Sequence, residues 1–189
     1  MRTLFIDFDG TICIDRFWRS SVDYKKIQQA LFIDNAEKAA DWMRGVYTAE
    51  EISQLVSDQT GIPYESLWSI FQKDCETMYV PADILQQIQI LRNSFHVVLI
   101  TGNMDSFTRF TLPALKLDRY FDAIVNSYDE RQLKTDNAGE TFLKYCQGSI
   151  ADAILVEDSQ KSVDTFRELG GTAHQTDSLE KTFEIITKL

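Results

Sequence analysis

Two carboxylates one residue apart, Asp7-Phe8-Asp9, close an apolar run at the start of the chain and are followed by Gly10-Thr11. In an extended segment side chains alternate, so Asp7 and Asp9 project to one side. Paired carboxylates of this kind suit a hard cation with oxygen ligands, Mg2+ first among them. They also suit a division of labour between nucleophile and acid/base. Gly10 permits the sharp turn that follows. A second group, Thr101-Gly102-Asn103, ends the run Val97-Val98-Leu99-Ile100. A hydroxyl with free backbone N–H groups at such a turn forms a cradle for an anion. A third, Glu157-Asp158-Ser159, follows Ile154-Leu155-Val156, and Lys134 lies in the polar loop 131–137. A single cation there would balance a phosphate gathered by the other three.

Residues 3–8, Phe95–Thr101, 121–126 and 153–156 are short and rich in Val, Ile, Leu and Phe. Parallel strands covered on both faces have that composition. Helical patterns fall between or after them, at 81–92, 106–117, Glu140–Tyr145, 162–169 and 178–188. The alternation predicts an α/β core, a parallel sheet with helices on both faces. Ligand sites of such sheets lie beyond the carboxyl ends of the strands, where three of the four groups fall, all but Lys134. Residues 15–78 break the rhythm with amphipathic helices only. Thr48 and Glu51 form a capping box that starts a helix running to Gly61, and Pro63 opens another. Residues 24–41 and 42–43 are read as one or two more helices. The predicted domains are a core of residues 1–14 and 80–189 and a helical insertion of residues 15–79.

Composition narrows the partners. Nineteen Lys and Arg stand against 29 Asp and Glu, a net charge of -10. Nucleic acid and anionic membrane surfaces are therefore not expected partners, whereas a small anion remains compatible with a local site. No run has the length of a signal peptide or membrane span. Cys13, Cys75 and Cys146 lack paired spacing, which points to a cytoplasmic protein without disulfides.

The four groups together resemble the haloacid dehalogenase (HAD) superfamily, over nearly the whole chain. Asp7-Phe8-Asp9-Gly10-Thr11 matches its D-x-D-G-T motif, residues 97–101 its second, Lys134 its lone lysine and Glu157-Asp158 its acidic strand end. The insertion after the first motif resembles the C1 cap of phosphoglycolate phosphatases and β-phosphoglucomutases. The resemblance implies a Rossmann-like core and a Mg2+-dependent phosphatase acting on a small phosphorylated metabolite, with no oligomer required. It further implies that Asp7 attacks phosphorus to give an aspartyl-phosphate and that Asp9 is the acid/base. Mg2+ would be held by Asp7, the carbonyl of Asp9, Asp158 and, through water or directly, Glu157. Thr101, Lys134 and the N–H groups around Gly102 and Asn103 would bind the phosphoryl oxygens.

Some expectations depart from the pattern or reach past it. No Pro follows Lys134, and Glu157 could pair with a nearby cation instead of touching metal. Arg44, in Arg44-Gly45-Val46-Tyr47, could contact a substrate anion or be an ordinary surface residue. Trp42 or Tyr47 could line the pocket, and Arg16 and Arg19 could face it, while Trp18 is read as packing between helices. His96 and His174 are read as ordinary histidines. Dehalogenase chemistry is disfavoured because Asp9 is present. Phosphonatase chemistry is disfavoured because Lys25, Lys26 and Lys38 lack the matching context. A β-phosphoglucomutase-like mutase is the rival enzyme, and a catalytically idle binding domain is the rival of another class.

Overall fold

The apolar runs become parallel strands in the computed structural model, which describes residues 1–189. Strands β1 (Arg2–Ile6), β2 (Phe95–Thr101), β3 (Ala123–Asn126), β4 (Ile154–Glu157) and β5 (Thr172–Gln175) form one sheet in the order β3-β2-β1-β4-β5. All pairings are parallel. β1 is central, with Arg2 opposite Phe95 and Leu4 opposite Ile154. Alternation along the strands divides the core in two. Leu4, Ile6, Val97, Leu99 and Val156 face one apolar cluster, and Phe5, Val98, Ile100 and Leu155 face the other. β5 was not among the four apolar runs, because its sequence Thr-Ala-His-Gln is polar. It lies at the sheet edge, where burial is partial.

Four helices interrupt the sheet between β1 and β2: α1 (Tyr24–Gln28), α2 (Ala36–Met43), α3 (Ala49–Thr60) and α4 (Tyr64–Glu76). The remainder are α5 (Ala82–Leu91), α6 (Leu112–Leu115), α7 (Ser127–Glu130), α8 (Glu140–Tyr145), α9 (Gln160–Glu168) and α10 (Leu179–Ile186). Ile84 and Ile88 of α5 and Ile186 of α10 cover the first face of the sheet. Phe142 of α8 with Val163 and Phe166 of α9 cover the second. The first cluster continues into the insertion through Trp42, Ile52 and Phe71, so insertion and sheet share one apolar core. No helix is long and apolar enough to cross a membrane.

Two helical readings change. The segment 106–117 is a π-helical turn (Phe107–Thr111) running into the short α6, and Lys116 then turns left-handed at φ 53°. Pro113 has no N–H to continue the ladder. The segment 24–41 likewise passes from α1 through a π turn (Gln29–Ile33) and breaks before α2. Asn35 makes that break, its side-chain amide donating to the Ala30 carbonyl at 2.7 Å.

The capping box forms as its residue types predict. The Thr48 N–H donates to Glu51 Oε2 at 2.8 Å, the Glu51 N–H donates to Thr48 Oγ1, and Gly61 ends α3 left-handed at φ 71°. Thr48→Ala is expected to lower stability by about 1 kcal/mol, read from the urea midpoint at unchanged slope. An unmoved midpoint would show that the helix start is held by other contacts.

Candidate active site

Three strand ends converge at the carboxyl edge of the sheet. Asp7 follows β1 and extends its ladder, its N–H donating to the Val156 carbonyl at 3.0 Å. Thr101 ends β2, Glu157 ends β4, and Asp158 follows. The chain runs from β1 to β2 and β3 on one side, then crosses to β4 and β5 on the other. The crevice beside β1 is therefore a switch point of the kind that binds ligands. A cleft of about 280 Å3 opens there, lined by Asp7, Asp9, Gly102, Lys134, Glu157 and Asp158. Met43 of the insertion, Leu133 and Thr135 of the lysine loop, and Ser159, Lys161 and Ser162 at the start of α9 complete its wall.

Lys134 is the hub. Its buried ammonium lies 2.5 Å from Asp7 Oδ1 and 2.5 Å from Glu157 Oε2, and donates to the Ile100 carbonyl at 3.3 Å. Burial disfavours the charged lysine, but the two carboxylates outweigh it and hold the group above the ordinary lysine range. Burial pushes Asp7 up from the usual carboxylate range despite Lys134. Burial, reinforced by Asp7, pushes Glu157 up to about 8. Two buried carboxylates thus share one ammonium.

Asp158 adds a third acid. Asp7, Glu157 and Asp158 each bring a carboxylate oxygen to within 4.8 Å of the others. Such a donor set fits a hard divalent cation, which would also relieve the uncompensated charge. Gly10 makes the approach possible. At φ +79°, a Cβ on it would lie 2.2 Å from Asp158 Oδ2, so no side chain fits. The Asp9 carbonyl accepts no hydrogen bond and stays free for a ligand.

Asp9 is handled differently. Its carboxylate accepts from Asn103 Nδ2 at 2.8 Å and lies 3.5 Å from Arg16 Nη1, away from the three-acid cluster. Burial raises its pKa to about 7, with Arg16 opposing and Asp7 adding to the shift. Thr101 is 1% exposed, and its hydroxyl has no hydrogen-bond partner. An orphaned buried hydroxyl of this kind costs about 1–3 kcal/mol until a ligand or water satisfies it.

No family model matches this sequence, and no curated protein matches it. Solved structures do. A HAD family enzyme of Bacteroides thetaiotaomicron, in complex with magnesium and inorganic phosphate, superposes with a TM-score of 0.71 at 15% identity, over 93% of both chains. A predicted HAD-like family hydrolase of Porphyromonas gingivalis gives 0.73 at 17% identity, over 100% of this chain and 97% of its own. The L-2-haloacid dehalogenase of Xanthobacter autotrophicus gives 0.65 at 11% identity, over 98% and 88%. The chain has the haloacid dehalogenase-like fold.

The HAD-like fold brings Asp7, Asp9, Gly102, Lys134, Glu157 and Asp158 to one cleft, and Thr101 ends the adjoining strand. It does not bring Arg44 there. Arg44 forms a two-pronged ion pair with Asp136, at 2.9 and 3.1 Å, because that carboxylate reaches it first. The Asn103 N–H is not free for an anion either, since it donates to Ser127 Oγ at 3.0 Å; its side chain orients Asp9 instead. Trp42 is fully buried and its indole N–H donates to Asp105 Oδ1 at 2.7 Å, so it does not line the cleft. Arg19 braces the carbonyls of Asp74 and Thr77. Trp18 is buried between helices, with its N–H on the Leu67 carbonyl. Arg16 does reach the site, through Asp9. Glu157 does pair with a cation, Lys134, while remaining one of the three clustered acids.

Three further contributors are not among the candidates read from the sequence. Thr11 donates to Asp7 Oδ2 at 3.4 Å, and Ser127 and Asp136 brace the surrounding loops. Thr11 belongs to the first motif and could have been proposed from it. Ser127 acts through Met43, and Asp136 links Leu133 to Arg44; Met43 and Arg44 lie far away in the chain, and no local pattern exposes those contacts.

Proposed function

We propose that the protein is a Mg2+-dependent phosphomonoester hydrolase acting on a small phosphorylated metabolite. The observation that carries this reading is the geometry of the cleft. A buried carboxylate, Asp7, touches a buried ammonium, Lys134, beside a three-acid cluster, with a second carboxylate, Asp9, turned separately into the same space. Magnesium and inorganic phosphate in a structural relative of this fold support it. The fold is shared with haloacid dehalogenases. The cluster of Asp7, Glu157 and Asp158 is a donor set for a cation, and that favours the phosphatase reading.

In this reading the carboxylate of Asp7 attacks phosphorus, and the bond from phosphorus to the ester oxygen breaks. Asp9, oriented by Asn103 and Arg16, gives its proton to the departing oxygen. Asp9 then takes a proton from water as the water oxygen attacks phosphorus, which releases phosphate and regenerates Asp7. Lys134 and Thr101 hold phosphoryl oxygens through both steps, and positioned charge of this kind supplies much of the catalysis of phosphoryl transfer. Mg2+, held by Asp7, Asp158 and the Asp9 carbonyl, would neutralise charge on the same oxygens. The small cleft favours a compact substrate.

The test is turnover of p-nitrophenyl phosphate with Mg2+ and with EDTA. Hydrolysis is expected with Mg2+, none above background is expected for Asp7→Asn, and Asp9→Asn is expected to fall by roughly 10²–10⁴. Equal turnover by Asp7→Asn, or halide release from a 2-haloacid instead, would overturn the reading. Conversion of glucose 1-phosphate to glucose 6-phosphate without free phosphate would replace it with a mutase.

A further inference from the structure

The turn that follows α2 is gripped by loops of the sheet domain. The Met43 carbonyl accepts from Ser127 Oγ at 2.8 Å, and the Gly45 carbonyl accepts from Arg131. Gly45 has φ +75°, and a Cβ there would lie 2.7 Å from the Tyr128 carbonyl, so the contact admits only glycine. Between them, Arg44 closes its fork on Asp136, Nε to Oδ2 and Nη2 to Oδ1.

Asp136 has a second partner. Its Oδ2 also accepts the Leu133 N–H at 3.0 Å, and its own N–H donates to the Leu133 carbonyl at 2.9 Å. The next residue is Lys134. Beyond Asp136 the loop has little regular structure of its own, since Asn137 and Ala138 both adopt left-handed conformations, at φ 50° and 54°. A lysine whose ammonium must meet two carboxylates at once therefore sits on a loop that needs an outside brace. The forked, charge-assisted contact from Arg44 is of the geometrically specific kind.

We propose that Arg44 is a positioning residue for Lys134, coupling the seating of the helical insertion to the placement of the ammonium through Asp136 and the Leu133 amide. The activity arm of its test rests on the phosphatase reading; the exchange arm does not. Arg44 touches no reacting atom in this role, and its effect passes through the loop.

The experiment combines amide hydrogen exchange with kinetics on p-nitrophenyl phosphate for Arg44→Ala, Asp136→Ala and the double variant, below the unfolding temperature of all three. In Arg44→Ala the Leu133 amide is expected to exchange faster while amides of α10 keep their protection. Its kcat is expected to fall roughly tenfold, with a smaller change in KM. In the Asp136→Ala background, Arg44→Ala is expected to change kcat no further, because one linkage cannot be broken twice. Unchanged Leu133 exchange, additive kcat losses, or a KM rise in Arg44→Ala that Asp136→Ala does not share would overturn the proposal. The last of these would return Arg44 to direct substrate contact. Absence of turnover in the unaltered protein would sink the phosphatase reading alone, and the exchange data would still decide the coupling.

Discussion

Lys134→Ala is expected to be the most destabilising single change at the cleft, and to lower activity as well. The ammonium is buried between Asp7 and Glu157, and removing it leaves two acids facing each other without their cation. Breaking a buried pair in this way costs about 3–5 kcal/mol, which for a chain of this size lowers the melting temperature by roughly 10 °C. The loss should be largest in EDTA and partly recovered by Mg2+, since a ligand bound only by the folded state stabilises it by mass action. Turnover of an aryl phosphate is expected to drop by about 10²–10³ through loss of charge stabilisation. A variant that melts within a degree or two of the original in EDTA would mean that the carboxylates take up protons at little expense. The pairing would then be no part of what holds the site together.

Phe71→Ala is expected to have the largest effect away from the cleft. Its ring is fully buried, 4.8 Å from that of Trp18 and 5.3 Å from that of Phe17, and it meets Phe110 of the π turn at 6.5 Å. Truncating a buried Phe costs about 3–5 kcal/mol. Because the insertion and one face of the sheet share an apolar cluster, the whole loss should appear in a single unfolding transition. Urea melts followed by tryptophan fluorescence and by far-ultraviolet circular dichroism should move together. Separate midpoints would mean that the helical insertion unfolds on its own.

The sequence exposes this fold wherever a local pattern carries the information. β2 is legible in Phe95–Thr101 because a strand covered on both faces is apolar throughout. α3 is legible at both ends, through Thr48 with Glu51 and through Gly61. Asp7 is legible because a carboxylate pair is unusual at a strand end, and Lys134 because the family resemblance ties it to that pair. β5 is hidden because an edge strand need not be apolar. The π turns are hidden because their register depends on neighbours, as with the Thr111 hydroxyl that donates to the Cys75 carbonyl. Arg44 was visible as a cation in a suggestive loop, but its partner is Asp136, distant in the chain. A long-range ion pair leaves no trace in spacing.

The central place of β1 has a bearing on how the molecule is made. Its neighbours are β2 and β4, so Leu4 must find both Val97 and Ile154, and no hairpin can hold it in the meantime. Pairings so remote raise the contact order and slow folding, because the entropy of closing long loops is lost before the contacts form. During synthesis β1 emerges well before β4, and until then only one of its two edges can be paired, by β2. The strand that carries Asp7 is therefore first made and late to be placed. A chain interrupted before Glu157 would keep Lys134 but leave that aspartate without its two acidic partners, Glu157 and Asp158, and so inert.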